Sequence, residues 1–173
     1  MSEDFAHRLT LDRIRDGDRL DLVAGEAERR AVAERLGLAS LERLEAHAIL
    51  ARTGDVVRAT GRVQAALDQS CVVTGEPVAA LVDQPFELMF VPEPGATDGD
   101  DEIEIGAQEC DTIFHDGAAI DLGSAIADTL ALSIDAYPRS AGADAALKEA
   151  GVLSEAEAGP FAALAALKKK GKE

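Results

Sequence analysis

A chain of 173 residues has room for one ordinary domain with a core and a tail. Its apolar share of 47% holds only 3% aromatics and no Trp, which makes the core aliphatic and leaves few rings to stack on bases. A net charge of -16 disfavours a direct grip on phosphate, and with no basic n-region and no apolar run near the roughly 18 residues of a membrane span, we expect a cytoplasmic protein without leader or membrane helix.

FAHRLTLDRI, from Phe5 to Ile14, alternates Phe5, His7, Leu9 and Leu11 against Arg8, Thr10 and Asp12, which predicts a first strand. Leu20 to Val23 is a second, short one. Gly25 then opens EAERRAVAERLGL, where acids in the first turn and Gly37 at the end predict a short helix over Glu26 to Leu36. Leu41 to Arg52 suits a helix by propensity but alternates Leu44, Ala46, Ala48 and Leu50, and we read it as a strand. Thr53-Gly-Asp55 is a tight turn into the longest alternating run of the chain, VVRATGRVQAAL. Val57, Ala59, Val63, Ala65 and Leu67 fall on its core face and Arg58, Thr60, Arg62 and Gln64 on its wet face. On this meander Arg43 and His47 lie beside Arg58 and Arg62, the one candidate basic patch of the ordered part. Cross-strand pairing with acids is its ordinary structural role.

Gly75 and Pro77 then reverse the chain around Cys71, and VAALVDQPFELMFV resumes a strand from Val78. PEPGATDGDDE follows as a Pro/Gly/acid loop without periodicity. It is a poor calcium loop, because Ile103 stands where the sharp turn needs Gly. Ile103 and Ile105 suggest a short strand, and Cys110, Asp111, Ile113 and His115 come after it. Asp121 is a candidate N-cap for LGSAIADTLALSID, a helix to Asp135 with Leu122, Ile126, Leu130 and Ile134 on one face, closed by Tyr137-Pro138. Asp128 and Asp135 point outward. Residues 140–158 turn to Ala, Gly and Glu and read as a flexible linker, with a possible helical turn from Ala145 to Ala150. Gly159 to Lys170 starts with Pro160 and ends on lysines, so an amphipathic helix is expected with Phe161, Leu164 and Leu167 as its stripe. The domain scheme is therefore 1–139 as one α+β domain, 140–158 as linker and 159–173 as tail helix. The fold class expected is α+β, mainly an antiparallel sheet of about five or six strands or a partial barrel, with two packed helices and a tethered C-terminal helix.

No G-x-S-x-G, phosphate-binding GK[ST] loop, paired Cys motif or HExxH occurs, so no catalytic constellation is visible. Cys71 as the nucleophile of a cysteine hydrolase needs a base from His47 or His115 and is the remote alternative. Cys71, Cys110 and His115 are single and scattered, where closed zinc sites bring ligands in close pairs. Free thiols, no metal and no cofactor are expected.

The strand into Gln69-Ser-Cys71-Val-Val-Thr74-Gly-Glu-Pro77, the helix that closes at Tyr137-Pro138-Arg139 and the terminal Pro160-Phe-Ala-Ala-Leu-Ala-Ala-Leu-Lys168 together resemble the YceD family, the large ribosomal RNA subunit accumulation proteins. The resemblance implies a non-enzymatic role in synthesis, processing or stability of 23S ribosomal RNA. It marks Cys71, Pro77, Pro138 and Arg139 as motif positions. Many members have Cys-x-x-Cys where this chain has Cys71 and Thr74, and some have further cysteines near Pro138. Both are missing here, so a metal site is not carried over.

Charge is segregated along the chain. Residues 1–62 hold 12 acids and 11 Arg, whereas Val63 to Pro138 hold 16 acids and no Lys or Arg. Such a block attracts basic surfaces and repels phosphate. The expected mechanism is thus acidic docking, through Asp98, Asp100, Asp101 and Glu102, to a basic large-subunit ribosomal protein or assembly factor, by a monomer without membrane contact. The rival is a direct rRNA-binding module using Arg8, Arg43, Arg58, Arg62 and the lysine tail.

Overall fold

The computed structural model describes residues 5–93 and 111–152. Strands β2 (Asp18–Val23), β3 (Ser40–Thr53), β4 (Val56–Ser70), β5 (Pro77–Pro92) and β6 (Asp111–His115) form one sheet in the order β2-β3-β4-β5-β6. Arg8–Thr10 (β1) and Ala119–Asp121 (β7) pair separately as a two-stranded antiparallel sheet. With the helices α1 (Glu26–Leu36), α2 (Leu122–Ser133) and α3 (Ala143–Glu149) this is an α+β protein with a mostly antiparallel sheet, which does not close into a barrel among the described residues.

The sheet is built on the β3/β4 hairpin. Gly54, at φ 61, and Asp55 form the two-residue loop between paired Thr53 and Val56, the geometry that only a left-handed residue closes tightly. Alternation then sends Leu44, Ala46, Ala48 and Leu50 of β3 and Val57, Ala59, Val63, Ala65 and Leu67 of β4 to one face, where all are buried. A bulge between Leu41 and Arg43 leaves both Glu42 and Arg43 exposed. Gly61 stands inside β4 because a Cβ there would lie 1.8 Å from the carbonyl oxygen of His47. Strand order departs from a simple meander at one point: β6 runs parallel to β5, from Leu88↔Asp111 to Pro92↔His115. Upstream of Leu88 the outer edge of β5 has no partner strand among the described residues, and Pro85, which has no N–H to donate, is placed where a strand tolerates it.

α2 lies under the sheet. Leu122, Ile126 and Leu130, one turn apart, are fully buried, and each such side chain contributes on the order of 2 kcal/mol on leaving water. The Asp121 carboxylate starts the helix by accepting the Ser124 N–H at 3.1 Å, and it also accepts the His7 N–H at 3.0 Å. α2 ends at Ser133, short of Asp135, whose carbonyl accepts from Gln69 Nε2 at 2.7 Å. α1 begins where Glu28 Oε2 accepts the Gly25 N–H at 2.7 Å and ends at left-handed Gly37.

The expected first strand over Phe5 to Ile14 is corrected to the three residues of β1 followed by a 3-10 turn, Leu11–Arg13. Leu11 and Ile14 are both buried, a spacing of three that a pleated strand cannot place on one face. The chain divides into two compact units, one of Met1–Gln69 with Ala79–Ala136 and one of Ser70–Val78 with Tyr137–Glu173. In the second, the first half of the stretch read as a linker is helix α3, with Ala143 buried. The expected strand at Ile103 and Ile105 and the tail helix lie outside the described residues.

Candidate functional site

The wet face of the sheet carries the arginines. Register places Asp21 opposite His47 and His47 opposite Arg62, so a charged row crosses β2, β3 and β4. It continues onto β5. Arg62 pairs with Asp83 at 2.8 Å and Arg58 with Glu87 at 3.1 Å, while His47 Nδ1 meets Asp21 Oδ1 at 2.5 Å. All six side chains are at least two-fifths exposed, so each pair contributes about 0.2–1 kcal/mol to stability. Their larger effect is on the field. The patch expected from Arg43, His47, Arg58 and Arg62 is interleaved with carboxylates on this face, and Arg43 stands apart at the bulge, opposite Ala66.

The same pattern recurs at the other side of the domain, where Arg8 meets Asp116 at 3.5 Å and Arg35 meets Asp128 at 3.4 Å. Asp116 accepts the N–H groups of Ala118 and Ala119 at 2.9 and 3.3 Å, and these, with Arg8, hold its carboxyl below the usual range. His115 is buried with both ring nitrogens engaged. Nδ1 accepts the Gly117 N–H at 3.0 Å, which leaves Nε2 to donate to the Asp55 carbonyl at 2.8 Å, so the ring ties β6 to the β3/β4 turn.

Cys71 organises the second unit. Its N–H bonds the Glu76 carbonyl and its carbonyl accepts from Gly75, closing the reversal, while the Val72 N–H bonds the Pro138 carbonyl. The sulfur accepts two backbone N–H groups, from Ser140 at 3.3 Å and Thr74 at 3.4 Å. Those donors, Ser140 first, lower the thiol to about 6 against the opposing effect of burial. Thr74 Oγ1 and Ser140 Oγ are 3.2 Å apart, so hydroxyls ring the sulfur. Among the described residues, the sulfur's hydrogen-bond partners are backbone N–H groups and not a histidine. Among the described residues no three His, Cys, Asp or Glu side chains are grouped to hold a metal. Pro138 is buried, Arg139 is exposed and pairs with Asp144 at 3.2 Å, and Pro77 starts β5. Asp98, Asp100, Asp101, Glu102, Cys110, Phe161, Leu164 and Leu167 lie outside the described residues.

Sequence reasoning missed the sulfur's partners and the pairing of Arg58 and Arg62 with β5. Only the alternation of Asp83 and Glu87 with Val82 and Phe86 hinted at the latter. No helix among the described residues is long and apolar enough to cross a membrane.

The fold and these surfaces define an α+β protein in which Arg58 and Arg62 of the sheet are paired with carboxylates and the one described thiol is a buried hydrogen-bond acceptor. The family model of the large ribosomal RNA subunit accumulation protein YceD matches residues 59–168, more than half the chain, and the chain belongs to that family. Comparison with curated proteins and with solved structures found no match. Family membership points to a role in accumulation of large-subunit ribosomal RNA.

Proposed function

We propose that this protein is a non-enzymatic, cytoplasmic ribosome biogenesis factor, acting as a monomer, that supports 23S rRNA through acidic docking to a basic large-subunit ribosomal protein or assembly factor. The observation that carries the reading is the neutralisation of Arg58 by Glu87 and Arg62 by Asp83, which leaves the sheet face without the excess positive charge that binding to phosphate needs. Surplus charge is negative and sits in the block from Val63 to Pro138. RNA accumulation is then an indirect result of holding a protein partner.

The test is affinity capture from cells with and without nuclease, using the full chain and a variant with Asp98, Asp100 and Asp101 changed to Asn and Glu102 to Gln. A basic ribosomal protein or assembly factor should remain after nuclease, and the variant should associate with it more slowly, with a larger deficit at low salt than at high salt. Capture of RNA that carries every protein away on nuclease treatment, with binding strengthened in the variant, would replace this reading by direct RNA recognition.

A further inference from the structure

β6 is the last strand of its sheet, and α2 runs beside it in the opposite direction. Asp111, at the start of β6, shares a cleft of about 460 Å³ with Thr129, Leu132 and Ser133, while Ile113 to Asp116 share one of about 330 Å³ with Asp121, Ser124, Ala125 and Asp128. The two clefts lie end to end along one helix and one strand, and so form a single groove. Its walls match in length, since five strand residues span about 17 Å and twelve helical residues about 18 Å.

The floor is apolar, from Phe90, Ile113, Ile120 and Ala125. Each end carries an apolar side chain that its own domain does not cover: Leu132 is 80% exposed and Phe114 54%. The remaining polar lining is acidic or neutral, with Glu87, Asp111, Asp116, Asp121 and Asp128 and no Lys or Arg. Arg58, Arg8 and Arg35 offset Glu87, Asp116 and Asp128 from outside, which leaves a net negative groove. Along it runs the free side of β6, whose outward backbone groups have no strand partner among the described residues.

From this geometry we infer that the groove between β6 and α2 takes an extended segment of a partner protein, about five residues long, that alternates apolar and basic side chains and adds to β6 as a sixth strand of the sheet. The apolar residues of that segment cover Phe114, and its cations, on the other face of the added strand, meet Asp111 and Asp128 beside α2. The open edge is what selects an extended segment over a helix, because a helix has no backbone groups left to pair. This inference rests on the acidic-docking reading and adds a site to it, built from residues other than Asp98 to Glu102.

The probe is a capped hexapeptide of alternating Arg and Val, titrated into the full chain and followed by amide chemical shifts. Binding should move the amides of Thr112 to Phe114 and of Ser124 to Leu132, and a Pro in place of the central Val, with charge retained, should abolish it. Phe114→Ala, at an exposed position, should weaken binding about tenfold without moving the melting temperature. Equal binding of the proline peptide, or shifts that avoid β6, would overturn the groove while leaving acidic docking to be judged by the capture experiment. Tighter peptide binding on changing Phe161, Leu164 and Leu167 to Ala would overturn the partner as occupant and assign the groove to the chain's own tail. Shifts at β6 that depend on protein concentration alone would assign it to a second copy.

Discussion

Gly61→Ala should unfold this protein at a markedly lower temperature, although Gly→Ala in a compatible conformation normally stabilises by about 0.4–1 kcal/mol. The added Cβ would sit 1.8 Å from the His47 carbonyl oxygen and 2.9 Å from both the His47 carbonyl carbon and Phe86 Cζ. Phe86 can rotate, but the carbonyl belongs to the β3/β4 ladder where Ala48 pairs with Gly61. Since Cβ contacts below 3.0 Å are essentially never seen, two central strands must separate locally by about 1 Å or more. Overpacking of this kind costs about 1–3 kcal/mol, and a disrupted ladder hydrogen bond adds about 1 kcal/mol. At about 2–4 °C per kcal/mol for a chain of this size, a total near 3 kcal/mol lowers Tm by roughly 6–12 °C. The assay is thermal unfolding of the full chain by circular dichroism, with Gly142→Ala as control, because a Cβ there meets only Glu76 Oε2 at 3.8 Å. A Gly61→Ala protein that melts with or above the wild type would refute the close approach and the strand pairing drawn around it.

Asp121→Ala should cost about 1–2 kcal/mol through loss of the α2 cap, and Asp121→Asn, which keeps the acceptor oxygen, should recover most of it; chemical denaturation with an unchanged slope measures both. In a Cys110→Ser background, thiolate absorbance should titrate with a midpoint of about 6. The unfolded chain holds that proton more tightly, so stability should rise with pH from about 6 to the ordinary thiol value of 9.0 and be lost as pH falls through about 6. Cys71→Ser should flatten this dependence, seen as Tm measured across the same window. Arg58→Ala with Arg62→Ala should lower stability by at most about 1 kcal/mol per pair and leave RNA retention unchanged; a capture experiment that loses RNA with this variant would contradict the paired state of that face.

Much of the sheet was legible because its strands are long and half-buried. Alternation over Val57 to Leu67 fixes the buried face, and Thr53-Gly-Asp55 between two alternating runs fixes the hairpin and hence its register. The helix over Glu26 to Leu36 was marked at both ends, by acids and by Gly37. What escaped was non-local. No local pattern tells that β6 lies parallel to β5, that β1 pairs with β7 across more than a hundred residues, or that Ser140 caps the sulfur of Cys71. Phe5 to Ile14 misled because alternation over its first half continues into a turn with a spacing of three, and short apolar runs read alike in both periods. The arginine patch was placed on the correct face, but its neutralisation depended on β5 lying beside β4.

Segregation of charge along the chain becomes pairing in the fold. Arg8, Arg35, Arg58 and Arg62 all belong to the first 62 residues, and their partners Asp116, Asp128, Glu87 and Asp83 all belong to the block without cations. An N-terminal part that is nearly neutral by itself therefore turns four of its arginines toward the acidic middle. Of the candidate RNA contacts visible in the sequence, Arg8, Arg58 and Arg62 are paired in this way, and Arg43 is not among them. The acids left over include Asp111 and Asp121 beside α2, and the sequence carries a further acidic run from Asp98 to Glu109. On the acidic-docking reading, a basic segment is attracted over a distance of about 8 Å at physiological salt and then meets exposed Phe114 and an edge of β6 without a strand partner among the described residues. On that reading attraction and contact surface are both supplied at the β6 edge, while Arg58 and Arg62, already paired with Glu87 and Asp83, stabilise the strands that carry them.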